Sequence, residues 1–271
     1  MQPRQVRADE VDAVREIAAA HGTLADWPER PDYLDHQLAA GTVLVCDGGD
    51  GRIAGFGATI ERDGVLHLCD LFVRPGMEGR GIGGDLLRRL MPTNGRRSTF
   101  CSSDRRALRL YAGRGLVPVA PLLYLERTSP ATNPAATPTP PPAADWARAV
   151  DLEAALRGHR REPEHSFLRS LPGVELLASE RAFAYLRTAG GCTCVGPSGG
   201  LDAGDAAAVV MAAVTAAAAR SSRALLALPG HHPALADLLA SGFRISDMDT
   251  IMTSPAQLHD WSRIVPDPNF G

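Results

Sequence analysis

A proline-rich segment near the middle of the chain most limits how this sequence can fold. Residues 128–144 read TSPATNPAATPTPPPAA, with five prolines between positions 134 and 142 and no aromatic or large aliphatic side chain. Such a stretch cannot build a core, so we predict a semi-extended linker. The chain of 271 residues then divides into a first domain at 1–127, the linker, a second domain at 145–255 and a tail at 256–271.

The composition excludes several classes of protein. The chain has 28 basic residues, all arginine, against 31 acidic residues, a formal net charge of -3. Proteins that bind nucleic acid through bulk charge are usually basic, so we expect no nucleic-acid partner. No run approaches the roughly 18 apolar residues of a membrane span, and we expect the alanine-rich stretch 206–219 to be a core helix.

The cysteines and the first residues favour a cytoplasmic protein. Five cysteines are scattered without a C-x-x-C pair or a tight cluster with histidine. This pattern disfavours a disulfide framework and a structural zinc site, so we expect no metal. Residues 1–10 are polar and mixed in charge, unlike a signal peptide. We therefore expect a cytoplasmic monomer or homodimer with no membrane partner.

Hydrophobic periodicity predicts a similar order of elements in both halves. In the first half it predicts a short strand near Arg4, helices at 6–20, 85–91 and 105–114, and strands at 42–46, 53–60, 65–73, 98–102 and 116–125. In the second half it predicts helices at 144–156, 205–219 and 233–240, and strands at 174–178, 182–187, 192–195, 224–228 and 243–252.

A local match favours duplication of one unit. Ala107 is followed by a glycine eight residues later, and Ala234 is followed by a glycine at the same distance. Both pairs lie in a strand–helix–strand context, and self-similarity in a fixed order indicates an internal repeat. The alternative is coincidence between two Ala/Leu-rich helices that end in glycine.

A glycine-rich loop is the part of the sequence that most clearly indicates a binding site. The predicted strand 65–73 ends at Val73, Arg74 and Pro75 turn the chain outward, and residues 78–84 read EGRGIGG. Glycines allow tight backbone conformations, and the N–H groups at the start of a helix favour an anion, typically phosphate. The loop is therefore a candidate cradle for a pyrophosphate.

The loop also satisfies the dinucleotide-binding pattern G-x-G-x-x-G. Gly79, Gly81 and Gly84 have the required spacing, and Asp104 lies about 20 residues on, where a ribose-binding acid is expected. In a dinucleotide-binding unit, however, the first glycine follows the strand almost at once. Here five residues intervene, one of them Pro75, so this interpretation ranks below the next one.

The arrangement resembles the GNAT superfamily of acyl-CoA-dependent N-acyltransferases. That family's signature is a strand ending in V-x-P, a loop reading [RQ]-x-x-G-x-[GA], a helix, a short strand, and a helix reading N-x-x-A-x-x-x-Y-x-x-x-G. This chain has VRP at 73–75 and EGRGIG at 78–83, and its Asp104, Ala107, Tyr111 and Gly115 have the family spacing. The resemblance covers about the first 127 residues.

The resemblance implies a fold and a cosubstrate. The fold is α/β (α+β), with two tandem GNAT-like domains, each a mixed, mostly antiparallel sheet flanked by helices, the second domain degenerate. The cosubstrate is acetyl-CoA, with Tyr111 as the general acid that protonates the leaving thiolate. The cosubstrate-binding residues are Leu71, Phe72, Val73, Glu78, Gly79, Arg80, Gly81, Ile82, Gly83, Gly84, Asp104 and Ala107.

The chain departs from the family pattern at two positions. Glu78 replaces the usual Arg or Gln, and a carboxylate near a pyrophosphate is unfavourable, so we expect Glu78 to point away or to bind a helix-end N–H. Asp104 replaces the usual Asn, and at a helix N-cap that change is neutral.

Three residues could remove the proton from the acceptor amine. Asp70 and His67 lie on the strand that leads to the loop, and Glu61 follows the preceding strand. Asp70 sits among apolar residues, and burial would raise its pKa towards a useful value, so we choose Asp70. The alternative is a solvated carboxylate on the face of the sheet.

The second half lacks the residues that this chemistry requires. We align residues 195–202 with the loop, but they have no G-x-G entry, and Leu238 stands at the position of Tyr111. A basic cluster of His159, Arg160, Arg161 and His165 could bind an acidic group of the acceptor if it faces the first half. A solvated basic turn is the favoured interpretation of that cluster.

The sequence thus predicts an enzyme with one active site. We expect it to transfer an acetyl group to a primary amine of a small molecule or peptide by direct attack. The alternative function is a non-catalytic acyl-CoA-binding sensor or interaction module, motivated by the two departures and the degenerate second half.

Overall fold

A computed structural model describes residues 2–49, 51–129 and 143–271. Most of the predicted linker, residues 130–142, lies outside the described residues. Its first residue, Thr128, is the last residue of a strand, and Ala143 is the first residue of a helix.

The described residues form twelve strands and eight α-helices. The strands are β1 (Arg4–Gln5), β2 (Thr42–Asp47), β3 (Ile53–Arg62), β4 (Val65–Val73), β5 (Arg96–Cys101), β6 (Val117–Thr128), β7 (Val174–Ala178), β8 (Ala182–Ala189), β9 (Cys192–Gly200), β10 (Arg223–Pro229), β11 (Arg244–Ser254) and β12 (Ile264–Val265). The helices are α1 (Val11–Ala20), α2 (Tyr33–Ala40), α3 (Ile82–Leu90), α4 (Arg105–Ala112), α5 (Ala143–Arg157), α6 (Glu162–Ser170), α7 (Ala203–Arg220) and α8 (Leu235–Ala240).

The strands form one sheet in which the same pairing scheme occurs twice. In the first half β2, β3 and β4 are antiparallel and β4 is parallel to β5. In the second half β7, β8 and β9 are antiparallel and β9 is parallel to β10. The predicted fold class, a mixed and mostly antiparallel sheet flanked by helices, is therefore confirmed.

The last strand of each half pairs with the other half. The order across the junction is β5-β11-β6-β10, so β11 of the second half lies beside β5, and β6 of the first half lies beside β10. This exchange was not predicted, because antiparallel pairing between distant strands leaves no local signal. It places residues 250–254 of β11 beside β5, so that the preceding residues of β11 lie past the end of β5.

Apolar side chains cover both faces of the sheet. Residues of α1, α2, α5 and α6 share one core, which extends across both halves. On the opposite face α3 and α4 pack against the first half and α7 and α8 against the second. The helix α7 has the length and hydropathy of a membrane span, but Val210, Ala213, Val214 and Ala217 pack into the core, which accounts for its apolar composition.

Candidate active site

The gap between β4 and β5 organises the site. The two strands pair only from Val65 to Leu68 on β4, and Leu68 lies opposite Thr99. Beyond Leu68 the strand β4 continues to Val73 beside β3, while β5 pairs with β11 on its other side. Residues 69–73 of β4 therefore present a backbone edge that has no strand partner in the described part of the chain.

A β-bulge at Cys69 decides which way Asp70 points. On β3, Thr59 lies opposite Leu68 and the adjacent Ala58 lies opposite Asp70, so Cys69 is an extra residue in β4. Leu66 and Leu68 precede the bulge, Leu71 and Val73 follow it, and all four pack on the side of α3. The bulge therefore shifts the alternation and turns Asp70 towards α1 and α2.

A cavity of about 440 Å³ opens at this gap. Of the predicted site residues, Asp70, Leu71, Phe72, Ala107 and Tyr111 line it together. Tyr111 comes from α4 on one face of the sheet, and Asp70 is turned towards the other. The gap thus connects a phenol and a carboxylate that regular strand pairing would separate.

The carboxyl group of Asp70 is buried and incompletely hydrogen-bonded. Asp70 is only 7% exposed, and its Oδ2 atom has no hydrogen-bond partner. Burial raises the pKa of Asp70 to about 7, although Gln37 of α2 opposes the shift by hydrogen bonding. A carboxyl group with this pKa can accept a proton near neutral pH.

Tyr111 is the buried residue of an otherwise exposed helix, α4. Burial raises the pKa of its phenol, and the charges of Cys101, Asp70 and Asp249 add to this effect. The hydroxyl group therefore stays protonated at neutral pH and can act as a proton donor.

The glycine loop presents free amides at the start of α3. Gly79 and Gly81 have φ angles of 76° and 82°, a backbone conformation that disfavours other residues. Gly81 is the N-cap and supplies no side chain, and the first helical hydrogen bond runs from Asp85 N–H to the Gly81 carbonyl. The N–H groups of Ile82, Gly83 and Gly84 accordingly have no acceptor within the described ranges. Added Cβ atoms at Gly79 and Gly81 would meet nothing within 4 Å, so the space beside the loop is open.

The remaining predicted residues lie around the loop rather than in the cavity. Glu78 turns back, and its Oε2 accepts a hydrogen bond of 2.7 Å from the N–H of Gly76, a turn residue rather than a helix end. Arg80 is exposed. Asp104 caps α4 by accepting from the N–H of Arg106 at 2.8 Å, as expected of an N-cap.

His21, which the sequence did not single out, contacts the end of β4. Its Nε2 lies 2.9 Å from the carbonyl oxygen of Val73, and its ring stacks on Phe72 with centroids 4.8 Å apart. One backbone acceptor expected to face the cosubstrate is thus already in contact with a side chain.

The other two candidate bases lie outside the cavity. His67 is buried and lines a separate small cavity together with Arg157 and Arg161. Burial and those two arginines lower the pKa of His67 to about 3. Glu61 is exposed. Asp70 is therefore the candidate base that shares a cavity with Tyr111.

The basic cluster of the second half is not a solvated turn. Arg161 and His165 are buried and both contact Glu153, at 2.9 Å and 2.8 Å. Arg161 also donates to the carbonyl oxygen of Phe270 at 2.9 Å. The favoured interpretation was wrong for Arg161 and His165, because the buried Glu153 of α5 compensates their charge, whereas Arg160 is exposed.

The equivalent gap in the second half is filled by the chain itself. We align β9 with β4 by the last residue of each strand that takes part in parallel pairing. In this alignment Ser198 and Gly199 of β9 correspond to Leu71 and Phe72, and both pair with β12. Pro197 stands at the position of Asp70. The alignment of residues 195–202 with the glycine loop was wrong, because β9 continues to Gly200.

The start of α7 is likewise closed. Its N-cap is Asp202, whose carboxylate accepts from the N–H of Asp205 at 2.9 Å and carries a negative charge where an anion would bind. Leu238, at the position of Tyr111, is fully buried and has no proton to donate. The second half therefore lacks each of the features found at the first gap.

Most of the cavity wall comes from residues without a sequence motif. The loop after α1, the strands β6, β8, β10 and β11, and the segment after β12 all contribute. The residues are Asp26, Trp27, Tyr124, Arg187, Arg223, Asp247, Asp249, Asp267 and Asn269. In the described part of the chain, no group of three or more His, Cys, Asp or Glu side chains could hold a metal ion.

Part of the chain matches a known protein family. Residues 11–116 match the model of the acetyltransferase (GNAT) family. No curated protein matches the sequence. A putative acetyltransferase from Pyrococcus horikoshii is 15% identical, with a TM-score of 0.70 over 99% of this chain and 95% of its own.

Two further structures share the fold over nearly the whole chain. A GCN5-related N-acetyltransferase from Sphaerobacter thermophilus is 16% identical, with a TM-score of 0.57 over 99% of this chain and 98% of its own. A tandem GNAT protein from the clavulanic acid biosynthesis pathway is 15% identical, with a TM-score of 0.60 over 96% of this chain and 99% of its own. Residues 11–116 therefore match the GNAT acetyltransferase family, and the whole chain is similar in fold to a tandem GNAT protein.

Proposed function

We propose that this protein transfers an acetyl group from acetyl-CoA to a primary amine of a small molecule or peptide. The observation that carries the proposal is that Asp70 and Tyr111 line one cavity at the gap between β4 and β5. We further propose that it works in the cytoplasm, as a monomer or homodimer, without nucleic acid or membrane.

The residues around the gap fit acetyl-CoA. The free N–H groups at residues 82–84 suit its diphosphate, and the unpaired edge of β4 offers backbone groups to the amides of its pantetheine arm. Glu78 does not oppose the diphosphate through a free side chain, because its carboxylate is held on Gly76. When bound, acetyl-CoA supplies an acyl carbon that is activated by its thiol leaving group.

The two side chains divide the proton transfers. The acceptor attacks as the neutral amine: the lone pair of its nitrogen forms the bond to the acyl carbon, and Asp70 takes the proton that this nitrogen loses on becoming an amide. The carbon–sulfur bond breaks, and Tyr111 donates its proton to the departing thiolate. Direct transfer of this kind needs no covalent intermediate on the protein.

Calorimetry with acetyl-CoA and a thiol-release assay with a panel of primary amines test this proposal. We expect binding of acetyl-CoA and release of CoA that depends on an amine. The chain has no lysine, so acetylation of lysine side chains on the enzyme itself cannot contribute to the signal. Binding without turnover on any amine would favour the acyl-CoA sensor, and absence of binding would contradict both functions.

A further inference from the structure

The cavity contains an excess of negative charge. Asp70, Asp247, Asp249 and Asp267 line it, and none of them makes an ion pair within the described residues. The hydrogen-bond donors to three of these carboxyl groups are neutral. Asp249 accepts from the hydroxyl of Tyr124 at 2.8 Å, and Asp247 and Asp267 accept from backbone N–H groups, each at 2.8 Å.

The two arginines of the cavity do not cancel this charge. Arg223 is occupied by Glu126 at 3.1 Å and Asp26 at 3.7 Å. Arg187 lies over the ring of Trp27 at 3.7 Å and donates to the backbone oxygen of Asp26 at 2.8 Å. The charge of Arg187 favours the negative form of Asp267 without an ion-pair contact. Four carboxyl groups without an ion-pair partner thus share the cavity with one guanidinium that contacts no carboxylate.

Asp70 gives a second and independent indication of a ligand. Its Oδ2 is buried and has no hydrogen-bond donor. Buried polar atoms without a partner are rare, and each calls for an explanation. An ammonium group of a bound acceptor would supply the missing donor.

We propose that the acceptor amine carries at least one further positive charge, as a small diamine or polyamine does. This inference rests on the proposed acetyl transfer. The reacting nitrogen lies at Asp70, and the second cation lies among Asp247, Asp249 and Asp267, beside the ring of Tyr124. A cavity of about 440 Å³ holds a molecule of this size.

The environment of Asp249 and Asp267 suits such a cation, and Asp247 is exposed beside them. Asp267 is only 8% exposed. Burial raises the pKa of both Asp249 and Asp267, since a buried carboxylate lacks the solvation it has in water. A cation placed between them replaces that solvation, whereas a neutral amine leaves the carboxyl groups uncompensated.

The test compares 1,4-diaminobutane with 1-aminobutane, which has the same chain length but a single ammonium group. We expect kcat/KM to be at least about tenfold higher for the diamine, and its advantage to shrink as salt is added. Calorimetric titration of each amine into the protein saturated with CoA measures binding without turnover.

Two variants locate the second cation. Asp247→Asn and Asp267→Asn each should reduce the ratio of kcat/KM between the two amines several-fold, towards one. Asp237→Asn, which removes an exposed aspartate on α8 far from the cavity lining, should leave the ratio unchanged. Each ratio compares the kcat/KM values of the two amines for one variant. Partial loss of folded protein lowers both values equally and leaves their ratio unchanged.

The outcomes separate this inference from the proposed function. Equal kcat/KM for the two amines would overturn the dicationic acceptor and leave acetyl transfer intact. Tight binding of the diamine without acetylation of any amine would support the cation site and overturn the proposed function. Equally weak binding of both amines would overturn the cation site.

Discussion

Asp70 and Tyr111 meet in one cavity although they belong to opposite faces of the sheet. The bulge at Cys69 turns the carboxyl group towards α1 and α2, and the phenol comes from α4 on the other side. The end of pairing between β4 and β5 after Leu68 opens the passage between them. An acyl donor can thus approach from one face and its acceptor from the other.

Replacing Tyr111 by Phe should slow acetyl transfer while binding stays intact. General acid catalysis contributes roughly 10²–10⁴-fold, so we expect kcat to fall about a hundredfold or more. The Kd of acetyl-CoA measured by calorimetry should change little, because the hydroxyl makes no hydrogen bond within the described residues. Tyr185→Phe is the control: it removes a buried hydroxyl that contacts His165 and does not line the cavity. Unchanged kcat in Tyr111→Phe would remove the assigned role.

Asp70→Asn should remove a pH-dependent limb of the rate. The pKa of Asp70 is raised to about 7 by burial, so its basic form becomes populated as the pH rises through 7. The free amine of the acceptor also increases with pH, so the informative quantity is the ratio of wild-type to variant kcat/KM. We expect this ratio to rise between pH 6 and pH 8 and then level off. A ratio that is flat across this range would show that another group is the base.

The same residue should also affect stability. The folded-state pKa of about 7 lies above the ordinary aspartate pKa of 3.8, so the folded protein binds a proton that the unfolded chain has lost. The free energy of unfolding should therefore fall as the pH rises from about 4 to 7, by on the order of 4 kcal/mol at most. Asp70→Asn should lose this dependence and be more stable than wild type at pH 8 in urea unfolding. Equal stability of the two proteins at pH 8 would contradict the buried, uncompensated carboxylate.

The order of elements could be predicted because local patterns encode it. The strand predicted at residues 65–73 is β4 to the residue, and the glycines mark the turn before α3. Three elements were missed: α2, α6 and β12. The helix α2 carries His36 and Gln37 on its buried side, so its apolar stripe is interrupted, and β12 is too short for a periodicity to show.

The cavity itself could be predicted only in part. The residues with a motif, such as Tyr111, or with an unusual setting, such as Asp70 in an apolar strand, could be picked out. Asp247 and Asp249 reach the cavity only because β11 is exchanged between the halves, and Asp267 only because the chain returns after β12. Long-range pairing places these residues, and nothing near them in the sequence marks their role.

The protein should bind one equivalent of acetyl-CoA per chain. In the second half β12 occupies the edge of β9, and the carboxylate of Asp202 already caps the start of α7. Both features block the positions that a diphosphate and a pantetheine arm would need. Calorimetry should give a stoichiometry near one. The variant Gly83→Asp, which adds a carboxylate in the first turn of α3 at a position without positive φ, should weaken binding strongly. Two equivalents per chain, or undiminished binding by the variant, would contradict this account.

A buried ion pair between the halves should make the protein sensitive to acid. Glu164 of α6 accepts from Arg62 of β3 at 2.7 Å and lies 3.1 Å from Nε2 of His36. Burial alone would raise the pKa of Glu164, but hydrogen bonds with His36 and Arg62 and the charge of Arg161 lower it to about 2. The negative form is thus favoured in the folded protein relative to the unfolded chain.

The stability that Glu164 provides should be complete above about pH 4.5 and be lost as the pH falls towards 2. Glu164→Gln leaves the charge of Arg62 without its partner, so we expect a loss of about 3–5 kcal/mol at pH 7. The loss should shrink at pH 3, where wild type begins to lose the same interaction. Glu162→Gln, which breaks an exposed pair with Arg160, should cost less than about 1 kcal/mol. Urea unfolding of the three proteins at both pH values measures these differences, and equal losses for the two variants would show that the pair between the halves stabilises no more than a surface contact.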